Sequence, residues 1–303
     1  MTNLLDIFIN NLLPILLVAG AGYLLARILN PSPRPLSQVT FYVFSPCLIF
    51  TILTQSELNN GDIMRVVLFA WTTTFIIGAL ALLAGVLFKL KRRILAGVLI
   101  TSMFMNAGNY GLSLVMFAFG KTALSYASVY FVAVGILAYT VGVIIASMGS
   151  VSFSRALFNQ LKIPTLYALI LAVIFMRTGW DIPIPLKRTT DLLGAAAIPS
   201  MLVLLGMQLK AVKLSGLSMP IGIAAGLRLI VSPLLALLLG SFFGIIGPAR
   251  QAITTEAAMP TAVLTIVLAT EYDSEPSFVT AVVFMTTLLS PLMLTPLLAF
   301  LGA

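Results

Sequence analysis

The chain contains no histidine, one cysteine and only nine acidic residues among 303. Without histidine, imidazole acid–base catalysis falls away and zinc sites largely do too. A lone cysteine, Cys47, excludes an intramolecular disulfide. Charge of both signs is scarce. Charged residues make up 9% of the chain, where a soluble domain carries about a quarter. The hydrophobic share is 60%, and long charge-poor runs recur at about the ~20 residues needed to cross a bilayer. These features indicate an all-α integral membrane protein and leave no stretch for a separate soluble domain. Met1-Thr2-Asn3-Leu4-Leu5-Asp6 has no basic residue ahead of the first apolar run, so a retained span is expected there instead of a cleaved signal.

The net charge of +8 does not form a nucleic-acid patch, because the basic residues are scattered among the loops. Ten of them fall on one side of the expected topology: Arg27, Arg34, Lys89, Lys91, Arg92, Arg93, Arg155, Lys162, Lys210 and Lys213. Six fall on the other: Arg65, Lys121, Arg177, Lys187, Arg188 and Arg250. The side richer in Lys and Arg is cytoplasmic by the positive-inside rule, which puts both termini outside a plasma (inner) membrane.

Ten spans are expected, over 4–26, 36–54, 63–88, 94–119, 122–147, 164–180, 190–209, 218–245, 249–270 and 277–301. A connection over 148–163 divides them into halves 1–147 and 164–303, with five spans each. The halves echo one another. Asn11-Leu12-Leu13-Pro14 answers Leu161-Lys162-Ile163-Pro164, and an arginine follows each proline by thirteen residues, Arg27 and Arg177. Pro46 and Pro199 are 153 residues apart, and Met105 and Met259 are 154 apart. Five is an odd number, so successive halves insert with opposite orientation, giving an inverted repeat.

Two stretches interrupt apolar spans where breakers and polar groups are least expected: Asn106-Ala107-Gly108-Asn109-Tyr110-Gly111 and Glu256-Ala257-Ala258-Met259-Pro260-Thr261-Ala262. In hydrocarbon an interrupted helix persists only where protein or a wet cavity satisfies its backbone. Paired interruptions at corresponding positions of two halves point to a transporter's binding site.

In order and spacing, several motifs resemble the auxin efflux carrier family, which includes plant PIN proteins and bacterial permeases for small organic acids. They are Pro46 with Leu48-Ile49-Phe50, then Asn106, Gly108 and Gly111, then Gly206 with Leu209, and Arg228-Leu229 with Pro233. The most specific is Ala258-Met259-Pro260-Thr261-Ala262, followed by Glu271-Tyr272. The resemblance implies a ten-helix fold shared with the bile acid–sodium symporters, in which broken helices 4 and 9 cross. It also implies a scaffold of spans 1, 2, 6 and 7, a mobile transport domain of spans 3–5 and 8–10, and a homodimer through the scaffold. Where the family carries proline shortly after the fourth-span glycines, this chain has Ser113. The first break is therefore expected to rest on glycine flexibility and asparagine.

Asn106 offers an amide donor beside a restarting helix, whose free N–H groups and positive dipole end favour an anion. It is the leading candidate for a substrate carboxylate, and Asn109 is read as capping the broken backbone. Gly108 and Gly111 allow close helix crossing. Together with Tyr110, Pro260 and Thr261 they complete the candidate substrate set, which Ser45, Pro46 and Ser200 face from the scaffold. Glu256 lies six residues past Arg250, about 9 Å along a helix. An acid near the middle of a span costs ~2.5–3.5 kcal/mol and marks an ion or proton path by default. It is read as a cation ligand or titrating carboxylate, or else as a group that only pairs with Arg228. Arg228 neutralises Glu256 and fixes the transport domain, or attracts the anion. Thr254, Thr255 and Thr261 supply hydroxyl ligands or bond back to their own helix. Gln208 is expected to meet water at the end of its span.

The function expected is secondary or facilitative transport of a small organic anion by alternating access, with a proton or sodium as coupling ion near Glu256. No other cofactor or metal and no nucleic acid is expected. The alternatives are a sodium-coupled symporter of bile acid type, and a membrane receptor or structural protein. A membrane-embedded enzyme lacks its carboxylate cluster, histidine or nucleophile–base pair.

Overall fold

The computed structural model describes residues 4–148, 164–210 and 218–303. Among these every regular element is helical, and the helices are labelled here α1 Leu4–Leu29, α2 Arg34–Thr54, α3 Asn60–Leu87, α4 Arg92–Met103, α5 Ala107–Ala146, α6 Pro164–Thr178, α7 Ile184–Leu209, α8 Met219–Phe242, α9 Gly247–Ala257, α10 Leu264–Glu271 and α11 Pro276–Leu301. Seven of these, α1, α2, α3, α5, α7, α8 and α11, are long and apolar enough to cross a bilayer. The gap between α4 and α5 falls inside the expected fourth span, and Gly120, whose φ of +76° breaks α5 into two helical segments, falls between the expected fourth and fifth spans. The expected ninth span is two helices, α9 and α10. The connection at residues 149–163 lies outside the described residues, as do Arg155, Lys162 and Lys213 and the Leu161-Lys162-Ile163 half of the first sequence correspondence.

Local chemistry fixes the helix ends. Asn59 and Asp62 form a capping box that opens α3, with Asp62 N–H on Asn59 Oδ1 at 3.0 Å and Asn59 N–H on Asp62 Oδ2 at 3.3 Å. Asn30 closes α1 in the left-handed conformation just before Pro31. Within α2 the missing N–H of Pro46 frees backbone upstream, where a π turn over Thr40–Phe44 lets Ser45 Oγ donate to Thr40 O at 2.8 Å.

Helices α1 and α7 meet backbone to backbone. A Cβ on Gly22 would strike the main chain of Val203, and one on Gly206 would strike that of Ala19 and Tyr23. Such small-residue seams are how helices associate where burial against lipid gives no driving force. At the ends of this pair Lys210 Nζ donates to Ala26 O at 2.7 Å and Asn30 Oδ1 at 2.6 Å, so the basic C-terminal ends of α1 and α7 share one face of the molecule. Large apolar side chains such as Ile28, Val86, Leu238 and Leu292 stand on the outside, as lipid contact requires, while Arg228 and Glu256 are fully buried.

Candidate functional site

The two interruptions face each other. Helix α4 stops at Met103 and the chain runs extended through Phe104, with φ −107° and ψ 112°. Met105 then pairs antiparallel with Thr261 in an isolated bridge. Asn106 N–H donates to Pro260 O at 2.7 Å, and Ala262 N–H donates to Phe104 O at 2.9 Å. Two stretches that neither helix can satisfy thus satisfy one another, as buried backbone in a membrane must. Thr261 completes the crossing: its N–H donates to Thr286 Oγ1 at 3.2 Å and its hydroxyl to Thr101 O at 2.9 Å. The first break precedes the glycines, so pairing with the opposite break holds it and glycine flexibility does not. Gly108 and Gly111 lie in the π turn Ala107–Leu112 that starts α5, where Gly111 N–H donates to Asn106 O at 3.0 Å.

Behind the crossing lie the two buried charges. Arg228 sits in a π turn, Leu227–Val231, of α8. Its Nη1 donates to Ser102 O at 2.9 Å, and its Nη2 donates to Ala257 O and Ser232 Oγ. The last turns of α4 and α9 therefore converge on one guanidinium, and a cation at a helix C-terminus is where the dipole favours it. Arg93–Asp273 is the only ion pair among the described residues, so Arg228 and Glu256 make no direct ion pair. Both Glu256 carboxyl oxygens are buried without a hydrogen-bond partner, as are the hydroxyls of Thr254 and Thr255. The Glu256 carboxyl rests on the Cα of Gly111, where an added Cβ would overlap Oε1, Cδ and Oε2.

In front of the crossing is a cavity of about 190 Å³. Asn106, Gly108 and Asn109 line it from the break, and Ser45 lines it from α2. Among the described residues no charged side chain lines it. It runs from the crossing toward Ser37 near the start of α2 and Gln208 near the end of α7, the face that carries Arg34 and Lys210. A second cavity, of about 850 Å³, includes Thr51, Tyr126 and Ile198, with Glu57, Lys121 and Asp191. One apolar cluster, including Leu48, Leu112, Val115, Ala197 and Met201, reaches both cavities: Met201 lines the first and Leu48 the second.

A crossing of two broken helices, each tied to the other through its backbone, beside a cavity within a bundle of apolar helices, is an arrangement met at the binding sites of secondary transporters. The sequence profile described as "membrane transport protein" matches this chain twice, over residues 7–153 and 148–298. The chain belongs to that family. It is the family of the auxin efflux carriers, so the protein is a multi-pass membrane protein of the transporter kind. The chain is 28% identical to an "Uncharacterized transporter" of Methanothermobacter thermautotrophicus over 92% of this chain and 93% of that one. It is likewise 28% identical to an uncharacterized transporter of Methanocaldococcus jannaschii over 86% of both chains. A Rhizobium meliloti protein named "Putative malonate transporter" is 25% identical over 91% of this chain and 90% of its own.

Within this auxin efflux carrier fold the sequence-expected residues separate into three groups. Asn106, Gly108, Asn109 and Ser45 come together at the first cavity. Pro260, Thr261 and Arg228 belong to the framework of the crossing, where the Pro260 carbonyl, the Thr261 hydroxyl and both Arg228 Nη atoms are already engaged, and Tyr110, Gly111, Thr255 and Glu256 pack behind it. Pro46 and Ser200 do not line the cavity. Gln208, expected to meet water, instead lines the cavity with its Oε1 buried. Thr40 and Thr165 also line it and were not singled out by sequence. Threonine is common in this chain and ordinarily bonds back to its own helix, so nothing in the sequence distinguishes these two.

Proposed function

We propose that this membrane transport protein is a secondary or facilitative transporter of small organic acids, and not an enzyme, with the acid held in the cavity beside Asn106. The observation that carries this reading is the Asn106 side chain, whose Nδ2 is buried without a partner at a cavity wall that is also the start of a helix. An amide donor and helix N-terminal N–H groups suit a carboxylate without requiring a lysine or arginine, and none lines the cavity among the described residues. At about 190 Å³ the cavity is below the ~300–1,000 Å³ of drug-sized sites. That favours a short acid over a bile acid. The Rhizobium meliloti relative, whose name carries malonate, is consistent with the same class.

The transport cycle in this reading alternates access about the crossing. The cavity faces the basic, cytoplasmic side, and the cluster with Leu48, Leu112 and Met201 closes the path to the opposite cavity. Ten spans in two inverted halves account for the double profile match and for the breaks at α4–α5 and α9–α10. Helices α1, α2, α6 and α7 form the scaffold, and through it the homodimer, in the plasma membrane with both termini outside. Glu256 carries the proton, or binds the sodium ion, that couples transport. It does so from behind the crossing, through Gly111, whose N–H is held by the carbonyl of Asn106.

The test is uptake into proteoliposomes of labelled short organic acids, with and without imposed proton and sodium gradients, by wild type and Glu256→Gln. Gradient-driven uptake that becomes gradient-independent in Glu256→Gln supports coupling through that carboxylate. Wild-type uptake indifferent to both gradients makes the protein facilitative and Glu256 structural. No uptake of any acid by folded protein contradicts the reading as a whole.

A further inference from the structure

We infer that the cavity selects a short acid bearing a second oxygen-containing group, which Thr40, Thr165 and Gln208 receive. This rests on the transport reading above and narrows its substrate class. Four polar side-chain atoms of the cavity wall are buried with no hydrogen-bond partner: Asn106 Nδ2, Thr40 Oγ1, Thr165 Oγ1 and Gln208 Oε1. They come from the crossing and from three other helices, α2, α6 and α7.

The threonines are the telling pair. A threonine in an apolar helix normally donates to the carbonyl three or four residues back. Thr73, Thr101, Thr140 and Thr286 of this chain all do so, at 2.6–2.9 Å. Thr40 and Thr165 do not. Thr165 is the second residue of α6, and its hydroxyl has no hydrogen-bond partner. Thr40 lies in the π turn of α2, where the Ser45 hydroxyl is bonded to its carbonyl. Both hydroxyls are thereby left for something in the cavity.

A monocarboxylate with an apolar tail would take Asn106 and leave three buried polar atoms unpaired, which opposes its binding. A short acid with a second carboxyl or a hydroxyl pairs at both ends. The threonine hydroxyls donate to its second oxygen. Gln208 Oε1 accepts from a hydroxyl or from a protonated second carboxyl. Among the described residues the wall offers hydroxyl and amide groups and no cation, so the second group pairs there through hydrogen bonds. The apolar remainder of the wall, with Phe104, Phe131 and Met201, surrounds the short carbon chain between the two polar groups.

The experiment compares malonate, 3-hydroxypropanoate and propanoate, three acids of equal carbon number, by the concentration of each that stabilises the purified full-length protein against thermal unfolding in detergent. Wild type is expected to respond to malonate or 3-hydroxypropanoate at about tenfold lower concentration than to propanoate, as a site built to pair a polar group discriminates against its absence. Thr40→Val, Thr165→Val and Gln208→Leu are each expected to shrink that ratio toward one while propanoate binding is kept. Thr40→Ser and Thr165→Ser, which restore the hydroxyl, are expected to preserve it. Equal response of wild type to all three acids overturns this inference and leaves the transport reading standing. Uniform weakening of all three acids in the variants also overturns it. No response to any acid overturns the transport reading itself, and this inference with it.

Discussion

The main-chain N–H of Asn106 donates to the carbonyl of Pro260 at 2.7 Å, so the two interrupted helices are a single structural unit. Proline leaves the carbonyls upstream of it without their usual helical partner. The residue that fills the proline's own carbonyl is the one whose side chain faces the cavity. Movement of one break therefore cannot leave the other unaffected, and the cavity-facing amide of Asn106 stands at the paired backbone itself. Three further links tie the crossing to its surroundings: Arg228, Gly111 with Glu256, and the Asn106 amide. Each yields an expected outcome.

Gly111→Ala places a methyl group where the Glu256 carboxyl lies. The overlap is expected to lower stability by roughly 1–3 kcal/mol, the usual cost of forcing atoms into a packed interior. Glu256→Ala in the same chain removes the obstacle, so the double variant is expected to be more stable than Gly111→Ala alone. Thermal unfolding of the four proteins of this cycle measures the coupling. Additive effects would mean that the two residues do not touch.

Arg228→Lys keeps the charge but cannot bridge Ser102 O, Ala257 O and Ser232 Oγ with one planar fork. Each hydrogen bond lost from a charged donor is worth roughly 1.5–3 kcal/mol. The variant is expected to unfold at markedly lower temperature, with acid affinity in the surviving protein little changed because Arg228 does not line the cavity. A selective loss of affinity at unchanged stability would return Arg228 to the role of anion receptor.

Asn106→Ala removes the donor, and Asn106→Asp replaces it with a second anion in a cavity where no described residue supplies a cation to offset it. Acid binding is expected to weaken on the order of tenfold in the first and to be lost in the second. A competition assay that ranks the aspartate variant at or above the alanine variant would argue against a carboxylate at this position.

Arg93→Ala and Asp273→Ala break a 2.7 Å ion pair whose side chains are 56% and 76% exposed. Such pairs contribute about 0–1 kcal/mol. Both variants are expected to be near wild type in stability and uptake, and a large loss in either would show that this end of the molecule takes part in gating.

The breaks themselves were legible because their residue types are costly in a span. Proline at 260, Asn106 and Glu256 have no bland place in hydrocarbon, so composition alone located them. What they do was less legible. Sequence offered Pro260 and Thr261 as ligand-binding groups, whereas the opposite break takes the Pro260 carbonyl and Thr101 and Thr286 take the polar groups of Thr261, pairings that no local rule predicts. Arg228 had one visible partner in sequence, the acid at 256, because backbone carbonyls at helix ends cannot be read from residue identity. The gap between α4 and α5 did not need the missing proline at Ser113, since a partner strand can hold a chain extended as firmly as a breaker can. Gln208, Thr40 and Thr165 stayed hidden for a plainer reason: a polar residue near a helix end is usually solvated, and only the packing of α2, α6 and α7 shows otherwise.

The central claim, that a short organic acid binds at the crossing and is carried across, is tested most directly by counterflow in proteoliposomes. Vesicles loaded with an unlabelled short acid, tested in turn for malonate and its relatives, are mixed with trace label outside. Wild type is expected to accumulate label transiently, and Asn106→Asp, shown folded by its thermal transition, is expected to accumulate none. Equal counterflow in the two proteins would place the substrate elsewhere, and absence of counterflow with every acid in folded wild type would contradict the account.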